Sequence, residues 1–446
     1  MFDFYKMLRY NLIENKVVYT QKFSMEVIME IKRDLYLNNL IERKENQMIK
    51  VITGIRRCGK SYLLFNLYYN YLLSIGVDKS QIIAIDLDSR QNLKYRDPDF
   101  LDNYIREQIK SDDNVYYVFL DEIQLVNDFE SVLNGLNRFN NIDIYVTGSN
   151  SKFLSTDIIT EFRGRGDEIR VYPLTFSEFG DAYNGSVENA WNEYFTYGGL
   201  PLILSKTTEK QKAQYLNELF NKVYFTDIIE RNNLQKNEIL ESVVNILASS
   251  VGSLTNPLKL SNTFNSTGVN GVSYNTIDAY IGYLTDAFLI NRVDRFDIKG
   301  KKYISTPSKY YFADIGLRNA RLNFRQQEEN HIMENIIYNE LLVRGFNIDV
   351  GVVEHNITDE NGKNIRKQLE VDFVCNQGSK RYYIQSAFAI PDREKMEQEQ
   401  NSLVRIGDSF KKIIIVKDNI KLWRNEEGIV IMGIQEFLLN PNSLDL

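Results

Sequence analysis

Apolar positions along this chain follow two rhythms. Ile49 to Ile52, Ile82 to Ile85, Tyr116 to Leu120 and Ile142 to Val146 are short runs with few polar interruptions. Strands covered by helices on both faces read this way, as in parallel α/β sheets. After the first run, apolar residues recur at helical spacing from Tyr62 to about Ser74. Residues 175–235 read as helices around the turn Tyr197-Gly198-Gly199-Leu200-Pro201. From Glu238 to Ser305 the pattern predicts three helices and a hairpin. One of these helices carries Ile277, Tyr280, Ile281 and Leu284 on one face. Leu289–Val293 and Lys302–Ile304 read as strands flanking Lys299-Gly300-Lys301, which gives a winged-helix outline. The remainder predicts a helix from His331 to Arg344, strands at Leu369–Val374 and Tyr382–Ala387 joined through Asn376-Gln377-Gly378, a helix from Asp392 to Arg405, and a strand at Ile413–Val416.

Composition narrows the classes. A chain of 446 residues implies roughly two to four domains, and 43% hydrophobic with 25% charged residues is ordinary for a globular protein. No apolar run reaches the roughly 18 residues of a membrane span. The start, Met1-Phe2-Asp3-Phe4-Tyr5-Lys6, lacks the features of a signal peptide, so the expectation is a cytoplasmic protein without a membrane partner. The only cysteines, Cys58 and Cys375, form no C-x-x-C pair, and two histidines are too few for a multi-histidine metal cluster. With 53 basic and 60 acidic residues the net charge is −7, which argues against a nucleic-acid coat but not against a local basic patch.

The sharpest chemical signal comes directly after the first strand. Gly54-Ile55-Arg56-Arg57-Cys58-Gly59-Lys60-Ser61 is an uninterrupted G-x-x-x-x-G-K-S, leading into Tyr62 and an apolar helix. Its glycines let backbone N–H groups point at phosphates; Lys60 is placed for the β- and γ-phosphates and Ser61 for Mg²⁺. ATP and Mg²⁺ are therefore the expected ligands. The strand Tyr116–Leu120 delivers Asp121 and Glu122 at its C-terminal end, where α/β sheets place ligands. Asp121 suits the Mg²⁺ shell and Glu122 the general base that polarises water. Thr147-Gly148-Ser149-Asn150 closes the next strand, and Ser149 and Asn150 are candidates to sense the γ-phosphate.

On these stretches, with Phe119-Leu120-Asp121-Glu122-Ile123-Gln124, Val146 to Ser151, Arg163-Gly164-Arg165, Pro173 to Phe179 and Tyr197 to Pro201, the chain resembles the AAA-type ATPases of bacteria and archaea that carry a C-terminal domain of unknown function. The resemblance runs from about residue 30 to the end. It implies an ATP-binding core with ATPase potential and leaves the biological substrate undefined. Arg163 and Arg165 then have two readings: an arginine finger that neutralises γ-phosphate charge in a neighbouring subunit, with Arg165 the catalytic candidate and action in cis or trans left open, or a structural arginine pairing Asp167 or Glu168. The organisation expected is a helical segment at 1–44, a P-loop AAA core with a parallel sheet at 45–174, a helical lid at 175–236, a winged helix at 237–322 and a restriction-endonuclease-like α/β domain at 323–446.

The last two parts bear on partners. Residues 236–310 hold eight Lys/Arg and six Asp/Glu, a balance of +2, so DNA and a protein surface both remain readings of the winged helix, as does a homo-oligomer for the whole chain. A restriction-type metal site would use Glu340 and Asp372, with Glu370 in reserve. The usual E-x-K position reads Gln385-Ser386-Ala387, lacking an acid and the lysine, so a degenerate binding module is expected rather than a nuclease. The leading expectation is an ATP-dependent switch or motor. An ATP-regulated nuclease and a nucleotide-sensing scaffold are the alternatives.

Overall fold

The structure is a computed structural model that describes residues 31–110, 112–148, 162, 164–234, 237–266, 272–325, 328–358 and 364–446. The chain divides into two units, Met1–Lys32 and Arg33–Leu446, and the sheets and helices named here all belong to the second. The four apolar runs form strands β1 (Ile49–Thr53), β2 (Ile82–Asp86), β3 (Tyr116–Asp121) and β4 (Ile142–Thr147), joined by β5 (Gly166–Arg170). Every pairing is parallel, in the order β2-β3-β4-β1-β5. Val51, Val118, Leu120, Ile144 and Val146 pack with Leu101, Ile105, Leu133 and Leu136 as the buried core. The polar interruptions are explained by pairing. Lys50 of β1 and Asp143 of β4 are buried and form an ion pair, and the Tyr145 hydroxyl donates to Asp143 at 2.7 Å, as buried charge requires.

Asp34–Glu42 is a helix. Arg33, just before it, donates to Tyr172 O at 2.6 Å, and Arg43, just after it, pairs with Asp167 of β5 at 3.1 Å. This helix is thereby fixed to the parallel-sheet layer.

The second sheet has eight strands: β6 (Ile290–Asp297), β7 (Lys302–Phe312), β8 (Asn347–Thr358), β9 (Asn364–Gln377), β10 (Lys380–Ala387), β11 (Lys411–Val416), β12 (Trp423–Arg424) and β13 (Val430–Gly433). Their order is β12-β13-β11-β10-β9-β8-β6-β7. The hairpin expected around Lys299-Gly300-Lys301 is present as β6–β7, but it does not stand apart as a wing. Arg295, Phe296 and Asp297 of β6 pair in parallel with Val350, Gly351 and Val352 of β8. One sheet therefore spans the expected division at 322/323. Gly351 permits this closeness, because a Cβ there would sit 2.8 Å from Val371 and 2.9 Å from Ile298. Glu329–Val343 is a helix that packs on this sheet, burying Ile332, Met333, Ile336, Ile337 and Leu341. Among the described residues, no helix is long and apolar enough to cross a membrane.

Candidate nucleotide site and the C-terminal carboxylate cluster

The glycine-rich loop leaves β1 at Gly54, whose φ of +139° and contact with the chain after β5 both demand glycine: a Cβ would stand 2.1 Å from Val171 O. Gly59, at φ +104°, turns the loop into a helix that starts at Lys60 and continues to Ser74 through a π-helical stretch at Leu63–Tyr68. Lys60 is buried, and its Nζ donates to Gly54 O at 3.0 Å and Ile55 O at 3.1 Å, inside the curve of the loop. Ile55 and Cys58 are buried wall residues, with Cys58 Sγ 3.4 Å from Val171 O. Tyr62 is half-buried in the first helical turn, and Arg57 is exposed. Arg56 faces the helical segment around Tyr224 and Asp227: its guanidinium lies 3.6 Å from Asp227, and its carbonyl accepts from the Tyr224 hydroxyl at 2.9 Å.

Strand order puts β4 between β1 and β3, so the end of β4 falls between the loop and the carboxylates. Thr147, fully buried there, donates its hydroxyl to Asp121 and accepts the Glu122 N–H at 3.0 Å. Ser61 also hydrogen-bonds Asp121, so the two expected metal ligands do meet. Burial pushes the Asp121 carboxyl up to about 6. Thr147 and Ser61 pull it back, while Glu122 and Asp86 raise it further. Asp86 is there because it is the in-register neighbour of Asp121. Glu122 adopts a left-handed backbone, φ 53° and ψ 51°, and its carboxylate accepts from the Gln124 amide. Sequence reasoning passed over Thr147 and Gln124 as site residues. Their signal was proximity: one ends the sensor strand, and the other lies two residues beyond Glu122. Ser149, Asn150 and Arg163 lie outside the described residues.

Arg165 is not brought to this site. Its backbone brackets the opposite end of the sheet, accepting from Ile49 N at 2.8 Å, while the loop begins after Thr53. Four residue steps of strand, about 13 Å, separate the two ends. Asp167 and Glu168, the structural partners expected for Arg165, are engaged elsewhere: Asp167 pairs with Arg43, and Glu168 accepts from Thr53 Oγ1 at 2.6 Å.

The turn Gly198-Gly199-Leu200-Pro201 sits against the loop and against Asp314, just beyond β7. A Cβ on Gly59 would lie 3.9 Å from Pro201, and Gly199 N donates to buried Asp314 at 2.8 Å. Burial raises the Asp314 carboxyl to about 6, against hydrogen bonds from the N–H groups of Gly199, Leu317 and Gly316. Gly198 is obligatory, since a Cβ would press within 2.3 Å of Asp314.

In the C-terminal layer the expected carboxylate pair does not form. Glu340 bonds Arg344 at 2.8 Å, and Arg344 in turn holds the chain end at Ser443 Oγ, 3.0 Å away. The helical acid that faces Asp372 is Glu334. Between them lies Lys309 of β7, its Nζ 2.8 Å from Glu334, 2.8 Å from Glu370 and 3.2 Å from Asp372.

Two family models match the chain: an AAA domain over residues 46–180, and a domain of unknown function, DUF8612, over residues 188–328. An uncharacterized protein of Haemophilus influenzae is 35% identical over 416 residues, covering 92% of this chain and 98% of its own. The uncharacterized protein MJ1544 of Methanocaldococcus jannaschii is 28% identical, covering 95% and 93%. Among solved structures, the Walker-type ATPase PABY2304 of Pyrococcus abyssi aligns with a TM-score of 0.48 at 14% identity, over 69% of this chain and all of that one.

Proposed function

Because this chain belongs to the AAA-type ATPase family, we propose that it hydrolyses ATP with Mg²⁺ and uses the turnover to move its lid against the second sheet. The observation that carries this is the hydrogen-bonded series Ser61–Asp121–Thr147–Glu122 beside the glycine-rich loop. The residues fit the ligands. Gly54 and Gly59 shape a loop that side chains would close, and Ser61 with Asp121 is an oxygen set suited to Mg²⁺. When bound, Mg²⁺ supplies neutralisation of phosphate charge.

The chain's own groups do the rest. Lys60, now held by two loop carbonyls, exchanges them for phosphate oxygens. Asp121 must lose its proton to act, which its raised pKa makes a step that is complete only above about pH 6. Glu122 accepts the proton of the attacking water, and Gln124 holds its carboxylate until then. The output runs through Arg56 to Asp227 and Tyr224 of the lid, and through Gly199 to Asp314.

Phosphate release by wild type and Glu122→Gln tests the assignment, with nucleotide binding measured alongside. The variant is expected to bind ATP and lose about 10²–10⁴-fold in rate. Undiminished release removes Glu122 as the base, and binding without release by wild type turns the protein into a nucleotide-sensing scaffold. A finger role for Arg165 requires a second copy of the chain, because its own loop is at the other end of the strands. Turnover per chain should then rise with protein concentration, and a flat rate dismisses the finger. The proposed partner is DNA, met by the exposed hairpin turn with Lys299, Lys301, Lys302 and Tyr303. Affinity for duplex DNA should fall with salt at a slope of several units; a flat slope points to a protein instead.

A further inference from the structure

Lys309 lies in an otherwise apolar stretch of β7, Tyr310-Tyr311-Phe312, and is buried with its ammonium among three carboxylates from two other elements. Glu334 comes from the helix Glu329–Val343, and Glu370 and Asp372 come from β9. Two of the carboxylates accept further hydrogen bonds from neighbours. The Tyr311 hydroxyl donates to Glu334 at 2.6 Å, and Ser386 N of β10 donates to Asp372 at 2.9 Å. Gly252, at φ +71°, walls the cluster so tightly that a Cβ would come 3.0 Å from Glu334 Oε1. Among the described residues, no group of three or more His, Cys, Asp and Glu side chains is arranged to hold a metal ion.

We propose that the Lys309 ammonium is a built-in cation filling a carboxylate site that would otherwise take a divalent metal ion, so that the C-terminal module engages its partner by binding and not by metal-assisted cleavage. The geometry supports substitution of one cation for another. Oxygens of three carboxylates converge on a single point at 2.8, 2.8 and 3.2 Å, whereas divalent ions take oxygens at about 2.0–2.6 Å. An inward shift of about 0.2–1.2 Å would convert one shell into the other. Charge points the same way. Three carboxylates face one ammonium, so removing the lysine leaves up to three negative charges, which a multivalent cation neutralises in competition with protons. The two parts missing from the Gln385-Ser386-Ala387 strand, an acid and a lysine, are thus present from elsewhere in the fold. The lysine, however, stands at the focus of the acids rather than beside it.

The test is Mn²⁺ binding by the full-length, nucleotide-free chain, read by electron paramagnetic resonance of the free ion. Lys309→Ala should bind one Mn²⁺ more tightly than wild type by at least about tenfold, and the added Asp372→Asn should abolish that gain. If Lys309→Ala is poorly folded, the same result is read from its melting temperature, which Mn²⁺ should raise in the single variant but not in wild type or in Lys309→Ala/Asp372→Asn. Two outcomes overturn the proposal. One is Mn²⁺ bound by wild type in a manner that Asp372→Asn removes. The other is a Lys309→Ala chain that neither takes nor is stabilised by Mn²⁺.

Discussion

Lys60 and Lys309 are both buried lysines beside the end of an apolar strand, yet they are held in opposite ways. Lys60 donates to two neutral carbonyls of its own loop, partners that cost little to exchange for phosphate oxygens. Lys309 is surrounded by three carboxylates. Burial alone would lower its pKa, but the charges of Glu334, Tyr311, Asp372 and Glu370 hold it well above the ordinary lysine value. A lysine meant to change partners is given weak ones, and a lysine meant to stay is given strong ones. The two sites therefore differ in whether a cation's place is left open to an arriving ligand.

The largest effects should separate the two lysines completely. Lys309→Met breaks a buried ion cluster, and losses of this kind cost about 3–5 kcal/mol; its melting temperature should fall while the ATPase rate of the folded fraction holds. Lys60→Ala should do the reverse, abolishing phosphate release with little change in melting temperature. Equal effects of both substitutions on both readouts would erase the distinction.

The carboxylates give the next contrast. Burial, with Asp372 adding to it, pushes Glu334 up to about 7 from 4.5, despite Lys309 and the Tyr311 hydroxyl. A raised folded-state value means that the associated stability is fullest below pH 4.5 and is lost as pH rises through about 7. Glu334→Gln should flatten that stretch of a stability-versus-pH profile, and an unchanged slope would show that Glu334 does not carry it.

A smaller effect is expected at Thr147→Val. Losing its hydroxyl removes a hydrogen bond that lowers the Asp121 pKa, so the acid limb of Mg²⁺–ATP affinity should move above its wild-type position near pH 6. A limb that stays in place would reduce Thr147 to a packing residue. Smallest of all, Arg165→Ala should leave thermal stability within about 0.5 kcal/mol, as befits an exposed side chain far from the loop; a clear loss of stability would mean that it anchors the sheet edge.

How much of each site could be read from the sequence depends on the distance over which it is assembled. The glycine-rich loop and Asp121-Glu122 are local motifs at strand ends, and the parallel sheet was visible as four buried runs. The distance of Arg165 from its own loop was not legible, because the sequence does not reveal that β5 pairs beside β1 with residue 165 just before its first residue. Glu340 was singled out and Glu334 passed over; six residues of helix turn the side chain by about 240°, and only the packing of Glu329–Val343 on the sheet says which face looks inward. A lone lysine in Ser308-Lys309-Tyr310-Tyr311-Phe312 was the available sign of the cluster. Its partners are 25 and 63 residues away for Glu334 and Asp372, beyond any local pattern. The hairpin was legible, but its union with β8 rests on three paired residues in a different part of the chain.

That long-range cluster also sets an order of events during synthesis. Lys309 leaves the ribosome before any of its counter-charges, and Asp372 emerges only 63 residues later, about 3–13 s at ordinary elongation rates. For the first 25 residues of that interval β7 carries an ammonium with none of its counter-charges made, and thereafter with Glu334 alone until β9 follows. The hairpin must therefore wait, solvated at that point, until β9 has been made, and its final seating reports that the second sheet is nearly complete.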